Sequence, residues 1–108
     1  MSGSSSGGSS PPTAQPCRDL EILTTLNSPD PQVLKKLKAN DCLTVKAHAV
    51  GKQKVLAAFH GNDVAGAITD AMASRFLECL AKGSKYKATV ISIKGGRCDV
   101  SIDHGSCE

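Results

Sequence analysis

The residues of this chain that could do chemistry on their own are five cysteines and three histidines. His104-Gly105-Ser106-Cys107, with Cys98 nearby, has the residue types of a zinc-site fragment. Structural zinc takes four N/S ligands in paired short spacings, and only one such pair is present. Cys79 could serve as a thiol nucleophile with His48 or His60 as its base, but nothing in the pattern marks a third group to orient that base. A cysteine packed between the apolar and wet sides of a helix explains Cys79 as well. The chain has no carboxylate pair in an acid/base setting, no P-loop and no dinucleotide fingerprint. The expectation is a protein without catalytic residues, metal or cofactor, and not an enzyme.

Charge is the stronger signal. The chain of 108 residues carries a formal net charge of +3, and that value conceals a segregation. Residues 31–97 hold twelve Lys and Arg against Asp41, Asp63, Asp70 and Glu78, a net +8, whereas residues 1–30 sum to −2 and residues 98–108 to −3. A basic middle attracts polyanions. Lys46, Lys52, Lys54, Lys85, Lys87, Lys94 and Arg97 are the candidate nucleic-acid-binding positions. Phosphates neutralised by them would release counterions and make binding salt-sensitive. The same lysines would also keep a small domain in solution. Lys94-Gly95-Gly96-Arg97 could cradle an anion with exposed N–H groups, although a Gly-Gly hairpin between solvated charges needs the same residues. Aromatic residues are few: Phe59, Phe76 and Tyr86. Single-strand binders stack bases on aromatic platforms, and the alternation predicts that Phe59 and Phe76 point inward.

These positions must be held by elements, and the pattern supplies them. Leu20, Leu23 and Leu26 have helical spacing, yet Thr24-Thr25 and the short length favour an extended segment. Pro31 sits well at a first helical turn, and Val33, Leu34 and Leu37 share one face of a helix of about two turns. Leu43, Val45, Ala47 and Ala49 alternate with Thr44, Lys46 and His48, the period-2 pattern of a half-buried strand. After Gly51-Lys52-Gln53, the residues Val55, Ala57 and Phe59 read as the next inner face. Gly61-Asn62-Asp63 turns the chain into a third strand, Val64 to Ile68, where Gly66 suggests a bulge or a close backbone approach. Thr69 is the expected N-cap of a helix with Met72, Ala73, Phe76, Leu77 and Leu80 inward, Glu78 facing Lys82, and Gly83 at its end. Tyr86, Ala88 and Val90 open a fourth strand whose parity switches at Ile91 and Ile93, as at a bulge. Gly95-Gly96 turns into a fifth, with Cys98, Val100 and Ile102 inward and Arg97, Asp99, Ser101 and Asp103 outward.

Three strands, a helix and two strands form the chain order of an OB-like barrel, a fold that commonly binds nucleic acid or sugar on a strand face. The fold class expected is therefore α+β, a small OB-like β-barrel with a short N-terminal helix. Residues 1–16, nearly all Ser, Gly and Pro, read as a disordered tail. Residues 17–104 read as a single domain, and residues 105–108 as a frayed end. No apolar run reaches the ~18–20 residues of a membrane span, so no membrane partner is expected. Five widely spaced cysteines read as free thiols in a reducing, cytoplasmic setting in preference to a disulfide framework.

Gly61-Asn62-Asp63-Val64-Ala65-Gly66-Ala67-Ile68, then Leu77 to Leu80, Gly83, Tyr86 to Val90 and Gly95-Gly96, resembles the latter half of HIRAN modules, over about residues 54–103. That resemblance implies an OB-like fold and an association with DNA processing, where the family grips single-stranded ends. Ala39-Asn40-Asp41-Cys42 does not match the family's front motif, and no binding residue is carried over. Two functions follow from the sequence. One is a non-enzymatic module that binds single-stranded nucleic acid or a polyanion through a basic strand face. The other is a protein-interaction module that uses a groove or strand edge.

Overall fold

A computed structural model describes residues 16–107. The expected disordered tail, residues 1–16, lies outside the described residues except for Pro16. A 3₁₀ turn, Cys17–Asp19, leads into β1 (Glu21–Thr25). Then follow α1 (Pro31–Leu34), β2 (Cys42–Val50), β3 (Gln53–His60), β4 (Asp63–Ile68), α2 (Ala73–Ala81), β5 (Tyr86–Lys94) and β6 (Arg97–His104). The six strands form one antiparallel sheet in the order β1-β6-β5-β2-β3-β4. The ambiguous segment around Leu23 is thus a strand. The sheet is not closed strand on strand. Among the described residues its two edges meet at one antiparallel bridge, where Asn27, just past β1, exchanges backbone hydrogen bonds with Ala67 of β4 at 2.7 and 2.9 Å.

Turn chemistry sets the register. Gly51 and Gly61 have φ of +62° and +64° and each opens a two-residue loop, while Gly95 and Gly96 both have positive φ. These are the left-handed positions that tight hairpins require. Gly66 shows both features expected of it. The β3–β4 register passes from Ala58↔Gly66 to Phe59↔Val64, leaving Ala65 as the extra residue of a bulge. A Cβ on Gly66 would lie 2.9 Å from the Cβ of Leu26 and 3.3 Å from the Cα of Pro29. The parity switch in β5 is a second bulge, at Ile91, which stands exposed.

The core is the inner face of the sheet covered by α2. Leu43, Val45, Leu56, Ala58, Val90, Val100 and Ile102 meet Phe76 and Tyr86 there. Phe76 and Tyr86 pack edge to face with ring centroids 4.7 Å apart, and the Tyr86 hydroxyl donates to the Cys17 carbonyl at 2.6 Å. That bond gives the buried phenol the partner it needs. Thr69 does not cap α2. The helix begins four residues later, and the Asp70 carboxylate accepts from the Met72 amide at 2.9 Å. Glu78 meets Arg75 at 3.5 Å. Gly83 ends the helix as expected: its amide donates to Leu80 and that of Ser84 to Cys79, the paired bonds of a Schellman stop.

The cysteines depart from the free-thiol reading. Cys17 is bridged to Cys79, and Cys42 to Cys107, each pair with Cα atoms 5.7 Å apart. Only Cys98 among the five remains a thiol, and it is buried. An odd count and wide spacing describe distance along the chain, and the fold removes that distance by bringing together residues 62 and 65 positions apart. Of residues 105–108, Glu108 lies outside the described residues; Cys107 is bridged to Cys42, and the Gly105 amide donates to the Lys85 carbonyl at 2.8 Å. No helix among the described residues is long and apolar enough to cross a membrane.

Candidate nucleic-acid interface

The face of β3 differs from its expected parity. In the β2–β3 ladder, Thr44, Lys46 and His48 stand opposite Phe59, Ala57 and Val55. Residues directly opposite each other share a face, so Phe59 points outward with Lys46 and His48, and Leu56 and Ala58 point into the core. The cause lies in the sequence: Val55 to Phe59 is apolar at every position, so alternation cannot choose a face. The loop could have chosen. A two-residue Gly51-Lys52 turn pairs Val50 with Gln53 and thereby places Thr44 against Phe59.

The result is an aromatic spot on the outside of the sheet. The Lys46 ammonium lies 4.5 Å from the centroid of the Phe59 ring, within the range of a cation–π contact. The His48 ring lies steeply inclined to the same ring, with centroids 5.7 Å apart. Ala57, fully buried beneath them, lies outside the main core cluster. Phe59 and His48 are half-buried.

The seven basic candidates are spread over four places. Lys46 belongs to the Phe59 spot and Lys52 to the tip of the β2–β3 turn. Lys87, Lys94 and Arg97 lie on β5 and β6, and two of them are occupied. Lys87 Nζ holds both carboxylate oxygens of Asp103 at 3.1 Å, and Arg97 Nε donates to Asp99 at 3.0 Å. Lys54 pairs with Ala49 on the opposite face from Lys46 and, with Lys85, borders hollows beside α2. Asp99 also accepts from the Thr25 hydroxyl at 2.6 Å and from Ser92 at 3.4 Å. These bonds, that from Thr25 foremost and then that from Arg97, hold its carboxyl below the usual range.

No protein-family model, no curated protein and no solved structure matches this chain.

The remaining chemical candidates are separated by the fold. Cys79 is consumed by its bridge to Cys17, so it cannot pair with His48 or His60 as a nucleophile. Cys107 is consumed in the same way, and the His104 ring packs edge-on to Tyr86 at 5.6 Å. Burial first, and the Asp99 charge second, push the Cys98 thiol pKa up, which keeps it protonated and unreactive. Lys94-Gly95-Gly96-Arg97 is a two-residue hairpin turn with Arg97 drawn back to Asp99.

Proposed function

We propose that the protein is a non-enzymatic binding module of OB-like, HIRAN-like design that takes single-stranded nucleic acid on the outward face of β2 and β3. One observation carries this reading: the half-exposed Phe59 ring beneath Lys46 and beside His48. A base can stack on the ring once the Lys46 ammonium swings from it to a phosphate, which joins the two interactions single-strand binders combine. The strand order supports an OB-like scaffold. β2, β3 and β4, then α2, then β5 and β6 follow the OB chain order, and the Asn27–Ala67 bridge lies where the sheet edges would close it into a barrel. OB folds bind oligonucleotides on their second and third strands and on two of their hairpin loops. The corresponding places here are β3 and β4 with the β2–β3 and β5–β6 turns, where β3 carries Phe59 and the turns carry Lys52 and Lys94, Arg97 being held by Asp99. The two disulfides favour an oxidising compartment over the expected cytoplasm, because such bridges persist where thiols are not kept reduced.

Fluorescence anisotropy with single- and double-stranded oligonucleotides at about 50 and 200 mM salt tests the reading. Single strands are expected to bind, more weakly at the higher salt. Phe59→Ala is expected to cost about 1–3 kcal/mol of affinity, the range for one stacked base. Absence of binding at the lower salt, or an unchanged affinity in Phe59→Ala, would overturn it.

A further inference from the structure

The other face and edge of the same hairpin carry a second site. β2 is nine residues long. β3 pairs with it from Thr44 to Val50, but β5 pairs with it only from Cys42 to Val45. The chain reaches β5 from α2 at Tyr86, so Lys46 to Val50 have no strand on that side among the described residues. In an antiparallel pair, alternate residues exchange both backbone bonds with the neighbour. The two-residue turn makes Val50 and Gln53 such a pair, and with them His48–Val55 and Lys46–Ala57. The N–H and C=O groups of Ala47 and Ala49 therefore face the open edge. The Asp41 carbonyl accepts from the Val90 amide at 2.8 Å on that side, which fits the same parity.

Beside this edge runs a groove against α2. Ala47, Leu77, Leu80 and Ala81 form its floor and Lys46 and Lys54 its rim, around a hollow of about 370 Å³. Past Leu80 and Lys46 it continues into a second hollow of about 290 Å³ bordered by Thr44, Lys85, Ser106 and Cys107. No carboxylate lines either hollow. Charge pairing divides the lysines in the same way. The ion pairs of the described residues engage Lys87 and Arg97 away from the groove, and none engages Lys46, Lys54 or Lys85.

We infer that the open edge of β2 takes an extended acidic peptide as an added strand, with apolar side chains seated against Leu77 and Leu80 and alternate Asp or Glu side chains on the face of Lys46, while Lys54 and Lys85 at the rim of the groove add the positive charge that favours such a peptide. A peptide main chain matches the alternating N–H and C=O groups of a strand edge, which a nucleic acid backbone does not. The first hollow is lined by no ring on which a base could stack, and Tyr86, which borders the second, is itself buried in the core. Its opposite would be an edge whose lysines only repel other strands, a known protection. The five edge residues offer room for a strand of about 17 Å.

The test uses the full chain and two fluorescein-labelled peptides of about nine residues, one alternating Glu with Leu and one alternating Lys with Leu. The Glu/Leu peptide is expected to bind, and the Lys/Leu peptide to bind at least about tenfold more weakly. Lys54→Glu, on an exposed side chain, is expected to weaken the Glu/Leu peptide by about tenfold or more. Ala47→Pro, which removes one edge-facing N–H without touching the β3 ladder, is expected to weaken it as well. No binding of the Glu/Leu peptide at about 1 mM, equal binding of the two peptides, or wild-type affinity in both Lys54→Glu and Ala47→Pro would overturn the inference.

Discussion

Asp99 shows how a single carboxylate organises the outer face of this sheet. It stands on β6, accepts from Thr25 of β1 and Ser92 of β5, and holds Arg97 on its own strand. Its folded-state pKa is depressed, chiefly by the Thr25 and Arg97 hydrogen bonds. The unfolded chain returns it to about 3.9. Its contribution to stability is therefore present above that value and is lost as pH falls through the lower folded-state pKa. Asp99→Asn is expected to lower stability at neutral pH and to flatten the acid limb of the stability curve. Urea unfolding from neutral pH down to about pH 2 reads both effects. An acid limb of unchanged steepness in the variant would reject Asp99 as the residue responsible. The same pairing logic separates available cations from committed ones. Lys87 and Arg97 are held by Asp103 and Asp99, whereas Lys46, Lys54 and Lys85 have no carboxylate partner among those ion pairs.

At the scale of the elements, the joint between β4 and the segment after β1 depends on one missing side chain. Gly66 lets Leu26 and Pro29 approach the backbone of β4, next to the Asn27–Ala67 bridge that links the sheet edges. Its φ is not in the left-handed region, so the cost of a side chain there is steric. The crowding atom is the Cβ of the buried Leu26, which cannot swing aside. Gly66→Ala is expected to destabilise the fold by about 1–3 kcal/mol, as overpacking does. Denaturant titration measures it, and a variant as stable as the parent would mean that the joint yields freely. The closeness at Gly66 was legible because a lone glycine in an apolar strand has few other reasons to be there. The Ile91 bulge was legible because apolar parity changes sides within one strand. The outward face of β3 was hidden because Val55, Leu56, Ala57, Ala58 and Phe59 are all apolar, so both faces fit the pattern. Half of the candidate site followed from alternation in β2, which places Lys46 and His48 outward. Phe59 required the pairing register, which single-strand periodicity does not contain. The groove beside α2 depends on β5 stopping short of β2, a consequence of where the Gly83 turn releases the chain.

Over the whole molecule, the two disulfides bind the ends of the described chain to its middle in a crossed arrangement. Cys17 reaches forward to Cys79 in α2, and Cys107 reaches back to Cys42 at the start of β2. Each closes a loop of more than sixty residues, for which the chain-entropy model gives roughly 4 kcal/mol of stabilisation by constraint of the unfolded state. Because the loops overlap, closing one already restricts the other, and the combined effect falls short of twice that figure. The two bridges also differ in their surroundings. Cys79 is fully buried and Cys17 half-exposed, while Cys42 and Cys107 are both half-exposed, so the Cys42–Cys107 bridge offers reductant two accessible sulfurs against one. Its loss frees Ser106 and Cys107 from the far end of the groove beside α2. Alkylation with iodoacetamide followed by intact mass measurement tests this account. Denatured, unreduced protein is expected to take up one label per chain, on Cys98, and fully reduced protein five. Mild reduction of the folded protein is expected to give labelling at Cys42 and Cys107 before Cys17 and Cys79. Replacing Cys42 and Cys107 together by Ser is expected to cost about 2–5 kcal/mol in urea unfolding while the domain still folds at room temperature. Uptake of five labels by the unreduced protein isolated under non-reducing conditions would remove the bridges from the molecule, and with them the argument for an oxidising compartment.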